Sequence, residues 1–266
     1  MASVSNISVG AAYAGNMAHK ARHQMNASIM RLSSGNRTLM GGDSAGASIG
    51  NNLKARASSH YIGARNAEDG ISALLTAESA LNEIAQLAIR LRELGIQRDN
   101  AALLSDTMEE AAIDKEAEGI NDTIGNIISE TKFNEISLLS TSAANTLSIG
   151  SSVDGTNNNS ITTTNEFVDV SSNTDADGAE NSADALLEDV ALSLGNVAAG
   201  ISSLKARQSV SYASAANLEA AASRIVDTDF AKETASLTKA SVLNQSAMAM
   251  VAQANQAQSA ILAVLQ

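Results

Sequence analysis

Apolar residues recur near both ends of the chain at alternating spacings of four and three. Ile7, Ala11, Ala14, Ala18, Ala21, Met25, Ser28 and Leu32 mark one stripe, and Leu243, Ala247, Met250, Ala254, Ala257, Ile261 and Val264 mark the other. Such spacing puts one seam along a helix and predicts left-handed supercoiling against a partner. Alanine in a seam lets backbones approach closely but buries little area. Burying a Leu or Ile contributes about 1.5–3 kcal/mol, and each seam has few of them. An isolated pair is therefore expected to be weak, and the ends to become well ordered only when many copies surround them.

Three further segments follow the helical period. Leu74, Ala77, Leu81, Ile84, Ala88 and Leu91 form one stripe, and Ile113, Ala117, Ile120, Ile124 and Ile127 a second. The longest passes through Leu187, Val190, Leu194, Val197, Ile201 and Leu204 and continues more weakly to Leu218. Their aliphatic residues predict an ordinary helical bundle. Between them, Ser140 to Ser182 is dense in Ser, Thr and Asn, with β-like pieces at Thr146–Ile149 and Glu166–Val170 and turn dipeptides at Asp154-Gly155 and Asp177-Gly178. This predicts a solvent-facing, hairpin-bearing insertion, and its hydroxyls make it a candidate carrier of O-linked sugars. The expected fold is mainly α, a long helical coiled coil and bundle with a small β-hairpin region. Residues 1–42 and 225–266 are expected to pair as terminal helices. Residues 43–224 are expected to form the bundle, with the insertion at about 133–180.

Composition narrows the function classes. The 266 residues include no Pro, where average usage would give about thirteen; a helix interior disrupted by proline's missing N–H is thus nowhere encoded. Absence of Cys excludes disulfides and thiolate chemistry. A net charge of −12 argues against nucleic acid, which requires clustered cations. No run of about 18 consecutive apolar residues is present to span a membrane. The segment from Met1 to Ala18 lacks the basic start and apolar run of a cleavable signal, so the chain is expected to be cytosolic or to leave the cell by another route. Met1–Ala18 and Ala240–Gln266 carry no charge at all. Chain ends are normally solvated, and two neutral, periodic ends imply burial against other protein.

Candidate chemistry is sparse. His19 and His23 share a helical face at i, i+4, but Lys20 stands where a zinc peptidase needs Glu, and no third ligand is apparent. Gly41-Gly42 and Gly46 lack the strand and Gly-Lys-Ser/Thr of a phosphate loop; a break between helices, capped by Asp43 or Ser44, accounts for them. Glu109-Glu110 and Glu116/Glu118 flank Lys115 on what is expected to be a solvated face. No catalytic, cofactor or metal site is expected, and the chain reads as a structural protein.

Particular residues resemble a family. The run Arg31-Leu32-Ser33-Ser34-Gly35-Asn36-Arg37, then Asp43-Ser44-Ala45-Gly46, is similar to the N-terminal signature of bacterial flagellins, and Asn66–Ser72, Glu78–Ile84, Leu91–Leu94 and Thr131–Asn134 continue it. Ser223–Glu233 resembles the C-terminal signature, extended by Met250–Gln256. The resemblance implies a short flagellin without large outer domains, polymerising with itself as a helical homopolymer into the motility filament. Its ends would line the inner tube, with Ile7, Met25, Leu32, Leu243, Met250, Ile261 and Leu265 as the assembly seam. It also implies extracellular localisation in the flagellum, with an export chaperone, filament cap and junction proteins as partners. Arg90, Arg92, Glu93 and Leu94 match the stretch that the Toll-like receptor for flagellin recognises in freed subunits. The nearest alternative is the hook–filament junction protein, whose ends are similar. A soluble helical enzyme or signalling coiled coil would predict a folded monomer or dimer with ordered ends.

Overall fold

The structure, a computed structural model, describes residues 2–37, 42–100, 107–140, 145–150, 159–164, 176 and 178–265. Helices α1 (Ala2–Ser34), α2 (Ser44–Asp99) and α3 (Thr107–Glu130) come first. Four short strands follow, β1 (Lys132–Phe133), β2 (Ile136–Ser137), β3 (Asn145–Ile149) and β4 (Asn159–Thr164), and then helices α4 (Ala179–Val226) and α5 (Phe230–Leu265). The mainly α class expected from periodicity is what the chain adopts. One interior proline would interrupt the 56-residue run of α2.

The chain divides into two compact units, Met1–Ala55 with Leu218–Gln266, and Arg56–Asn217. The boundary residues lie within α2 and α4.

In the first unit α1 and α5 pack side by side. Gly50 of α2 lies against Val226, whose Cγ2 is 2.0 Å from where a Cβ on residue 50 would stand. Only glycine permits that approach.

The second unit holds the large apolar residues. Leu74, Leu81 and Ile84 of α2 meet Ile124 and Ile128 of α3 and Leu186, Val190, Val197 and Leu204 of α4. By length and composition α4 is apolar enough to cross a membrane; those four residues are buried in this core instead. A second cluster joins Leu91 and Leu94 to Ala117, Ala176, Ala179 and Ala183. Glu109 and Glu110 sit in the first turn of α3, where carboxylates offset the helix dipole.

The β region differs in detail from expectation. β3 matches the Thr146–Ile149 piece, but its antiparallel partner is β4, in a register that runs from Asn145 opposite Thr164 to Ile149 opposite Asn159. Glu166–Val170 and Asp154-Gly155 lie outside the described residues. The hairpin is also anchored and not wholly solvent-facing. Ile149 is buried, its Cδ1 2.2 Å from the Cβ position that Gly70 leaves empty, and Asn66 Nδ2 donates to the Gly150 carbonyl at 2.8 Å. The β1–β2 hairpin turns at Asn134 and Glu135, both left-handed with φ of 49° and 66°. Two-residue hairpin loops favour such a turn because its twist matches the strands. It delivers Leu138 and Leu139 to the core.

Candidate assembly surface

The surface is built where the two helix breaks of the first unit meet. Gly35, at φ 71°, ends α1, and its N–H donates to the Arg31 carbonyl at 2.8 Å. A left-handed residue closing a helix this way is ordinarily glycine, which has no Cβ to clash. Asn36 then bridges Asp227: the Arg37 N–H donates to the Val226 carbonyl at 2.7 Å and the Thr228 N–H to the Gly35 carbonyl at 2.9 Å. The Arg37 guanidinium donates to the Ile225 carbonyl at 2.8 Å and pairs with Asp43 at 3.2 Å. Two aspartates cap the helices that follow. Asp43 accepts the Gly46 N–H at 2.8 Å, and Asp229 accepts those of Ala231 and Lys232 at 3.0 and 3.1 Å. Arg31–Arg37 and Ser223–Glu233, the two runs singled out in the sequence, thus lie against each other. They hold α1 and α5 antiparallel, with Arg31 3.4 Å from Glu233.

From this clasp the two helices run along each other through small residues. On α1, Ala14, Ala18, Ala21 and Ser28 are buried and Met25 and Leu32 half-buried. On α5 the phase differs. Leu237, Ala240, Asn244, Ala247, Val251, Ala254 and Gln258 are the buried and half-buried residues of a four-three stripe. Leu243 and Met250, expected in the seam, are 46% and 64% exposed. Only Ala247 and Ala254 belong to both stripes. The difference in phase has a physical cause: α5 is apolar on several faces, so its own pattern does not select one stripe, and contact with α1 does. Ile7, Ile261 and Leu265 lie in the helices, but their side chains are outside the described residues. Asn244 occupies a seam position, and its Oδ1 is enclosed without a hydrogen-bond partner among the described residues.

Leu243 and Met250 instead line a groove of about 830 Å³ beside the seam, opposite Tyr13 and Met17 of α1. Tyr13 is 65% exposed, and Val9 and Val242 add further uncovered apolar surface. Apolar surface gathered along a groove ordinarily marks an interaction site.

The second unit carries the other expected site. Arg90 donates to Glu116 at 2.7 and 3.0 Å and to Glu93 at 3.1 Å. Those bonds, to Glu116 above all, hold its guanidinium above the ordinary arginine value. Arg92 pairs with Asp184 at 2.7 Å. Arg90, Arg92 and Glu93 therefore form a charged surface, whereas Leu94 is fully buried and presents nothing to a partner. The helical period explains the correction, because Leu91 and Leu94 point into the core that the arginines face away from. The acids near Lys115 are likewise more than a solvated face. Glu116 reaches Arg90, Glu110 and Asp114 pair with Arg98 at 3.4 and 3.2 Å, and Glu118 pairs with Lys115. Sequence spacing shows pairs within one helix, such as Lys115 with Glu118, but not pairs between helices, so the links to Arg90 and Arg98 were not foreseen.

His19 and His23 are exposed on α1, and His60 is half-buried on α2. Among the described residues no three His, Cys, Asp or Glu side chains gather as a metal-binding set.

Comparison with known proteins gives two family matches. Residues 6–144 match the bacterial flagellin N-terminal helical region and residues 179–265 the bacterial flagellin C-terminal helical region. A flagellin of Halalkalibacterium halodurans is 32% identical over 247 residues, covering 88% of this chain and 89% of the relative. A flagellin of Bacillus subtilis is 30% identical over 275 residues, covering 88% and 90%. Flagellin E of Vibrio cholerae is 37% identical over 134 residues, which is 50% of this chain but only 35% of that protein.

Proposed function

The chain belongs to the bacterial flagellin family, and from that premise we propose that copies join through the uncovered apolar faces of α1 and α5. It is a structural subunit of the flagellar filament, polymerising with itself. The observation that carries the joining surface is the state of Leu243, Met250 and Tyr13, large apolar residues left in water beside a neutral seam. Covering the groove with a neighbour's helix removes that surface from water, at about 25 cal/mol per Å² of apolar area. Ile7, Met25, Leu32, Ile261 and Leu265 complete the assembly set. In this reading Met25 and Leu32 hold the α1–α5 pair together, while Leu243 and Met250 meet the next subunit. Open, non-closing contacts between identical copies generate a filament.

The chain's role in this proposal is mechanical, without catalysis. Export without a cleavable signal, and contacts with an export chaperone, a filament cap and junction proteins, belong to the same proposal. So does recognition of the free subunit by the Toll-like receptor for flagellin. Its direct contacts would be Arg90, Arg92 and Glu93, with Leu94 holding the helix that presents them.

Seeded elongation followed by electron microscopy tests the joining surface. Wild-type subunits should extend filament fragments into long tubes. Leu243→Asp with Met250→Asp places two charges in the interface and should stop elongation while unit Arg56–Asn217 unfolds at its wild-type temperature. Full-length filaments from that variant would remove the groove from the assembly surface.

A further inference from the structure

Two of the chain's three tyrosines meet. Tyr61 of α2 and Tyr212 of α4 stand edge to face, with ring centroids 6.1 Å apart and planes at 63°, an arrangement that aromatic quadrupoles favour. Ala57, Ala64, Ser211 and Ala215 are buried on the same stretches of the two helices, while each tyrosine is 40% exposed. Both belong to unit Arg56–Asn217, Tyr61 close to its first residue and Tyr212 close to its last. The pair therefore links α2 to α4 where the unit's chain begins and ends, away from the α1–α5 seam. The chain has no Cys and no Trp, the side chains that most readily pass an electron to a tyrosyl radical, so an oxidised tyrosine has no such donor within the chain to quench it. Methionine is oxidised by a different route, oxygen transfer to sulfur.

We propose that Tyr61 and Tyr212 form an oxidative cross-linking site, at which a peroxidase-type one-electron oxidant ties α2 to α4 through a dityrosine carbon–carbon bond. Each ring loses an electron and its phenolic proton to become a phenoxyl radical. The radicals couple at the carbons ortho to oxygen, and the ortho hydrogens pass to the oxygens as the rings recover aromaticity. Two hydrogens leave in total, reducing one hydrogen peroxide to two waters. Exposed side chains change rotamer in picoseconds to nanoseconds, so the rings can leave the edge-to-face geometry and bring those carbons together. The bond closes a loop around nearly all of unit Arg56–Asn217, which removes entropy from its unfolded chain. It forms within one chain and does not depend on how copies join.

The test exposes full-length protein, as subunits and after seeded elongation, to a haem peroxidase with hydrogen peroxide, then digests it with trypsin for mass spectrometry. The expected product joins residues 57–65 to residues 208–224 with the loss of two hydrogens, in chains that still migrate as monomers under denaturing electrophoresis. It should carry the blue fluorescence of a biphenol, vanish in Tyr61→Phe and in Tyr212→Phe, and persist in Tyr13→Phe. Cross-linked chains should unfold at a higher urea midpoint than untreated ones. Oxidation in urea, which separates the rings, should lower the yield at least about tenfold, because held proximity no longer replaces chance encounter. That control uses wild-type protein and decides the matter if a phenylalanine variant does not fold. Absence of the 57–65 to 208–224 product from both preparations would overturn the site, as would an equal yield in urea, or linkage that runs mainly between chains or through Tyr13.

Discussion

The two compact units solve the problem of stability with different materials. Unit Arg56–Asn217 buries Leu74, Leu81, Ile84, Ile124, Leu186 and Leu204 in a core of its own. The unit formed by Met1–Ala55 and Leu218–Gln266 packs chiefly Ala and Ser between α1 and α5, and leaves Tyr13, Leu243 and Met250 outside. Charge divides the same way. Eight Lys and Arg against five Asp and Glu give the first unit a net +3, while nine against twenty-four give the second −15, together the −12 of the chain. The second unit is thus built to be complete and solvated as it stands. The first has a narrow seam, uncovered apolar surface and little self-repulsion, so its stability depends on what covers it. Association that also orders the associating segments costs free energy and needs a large interface to offset it.

The sharpest way to break this comparison is to damage each unit separately. Ala18→Glu puts a carboxylate into a dry seam and should abolish seeded elongation, with the unfolding of the second unit, followed by circular dichroism, unchanged. Loss of both signals together would show that the units are not independent. Leu81→Ala should do the converse, lowering the stability of the second unit by about 2–5 kcal/mol in a urea titration. Gly95→Ala probes close approach in the same unit. A Cβ there would stand 2.6 Å from the Glu180 backbone nitrogen, which cannot swing aside as a side chain would. The expected loss is about 1–3 kcal/mol, and an unchanged urea midpoint would mean that the start of α4 shifts freely. The smallest effect is a gain. Glu135→Gly relieves a left-handed, non-glycine residue and should stabilise the second unit by about 1 kcal/mol, visible as a raised urea midpoint.

On α1 the stripe of Ala14, Ala18, Ala21 and Ser28 is buried, although Val9, Tyr13, Met17, Ile29 and Met30 are exposed apolar residues on its other faces. The stripe of α4 was legible to within one position: Val190, Val197 and Leu204 are buried as expected, but Leu186 occupies the core in preference to the half-buried Leu187. In α3, Ile128 is likewise buried where Ile127 is only half-buried. Adjacent aliphatic residues read alike until neighbouring helices define which direction is inward. Leu138 and Leu139 were missed altogether, since two leucines after a two-residue turn form no periodic stripe.

The sequence by itself determined that long helices would form, that both ends would be neutral and apolar, and that no thiol chemistry was available. Those properties follow from local rules: proline's absence, residue spacing and the inventory of side chains. The family signatures were equally legible, as runs of residues. Tertiary structure alone decided that those runs clasp each other through Asn36 and Asp227, and that Leu94 is turned inward beneath its charged neighbours. It also turned Leu243 and Met250 out of the seam. A helix with apolar residues on several faces can satisfy more than one phase, and the phase it takes depends on which surface is held against it.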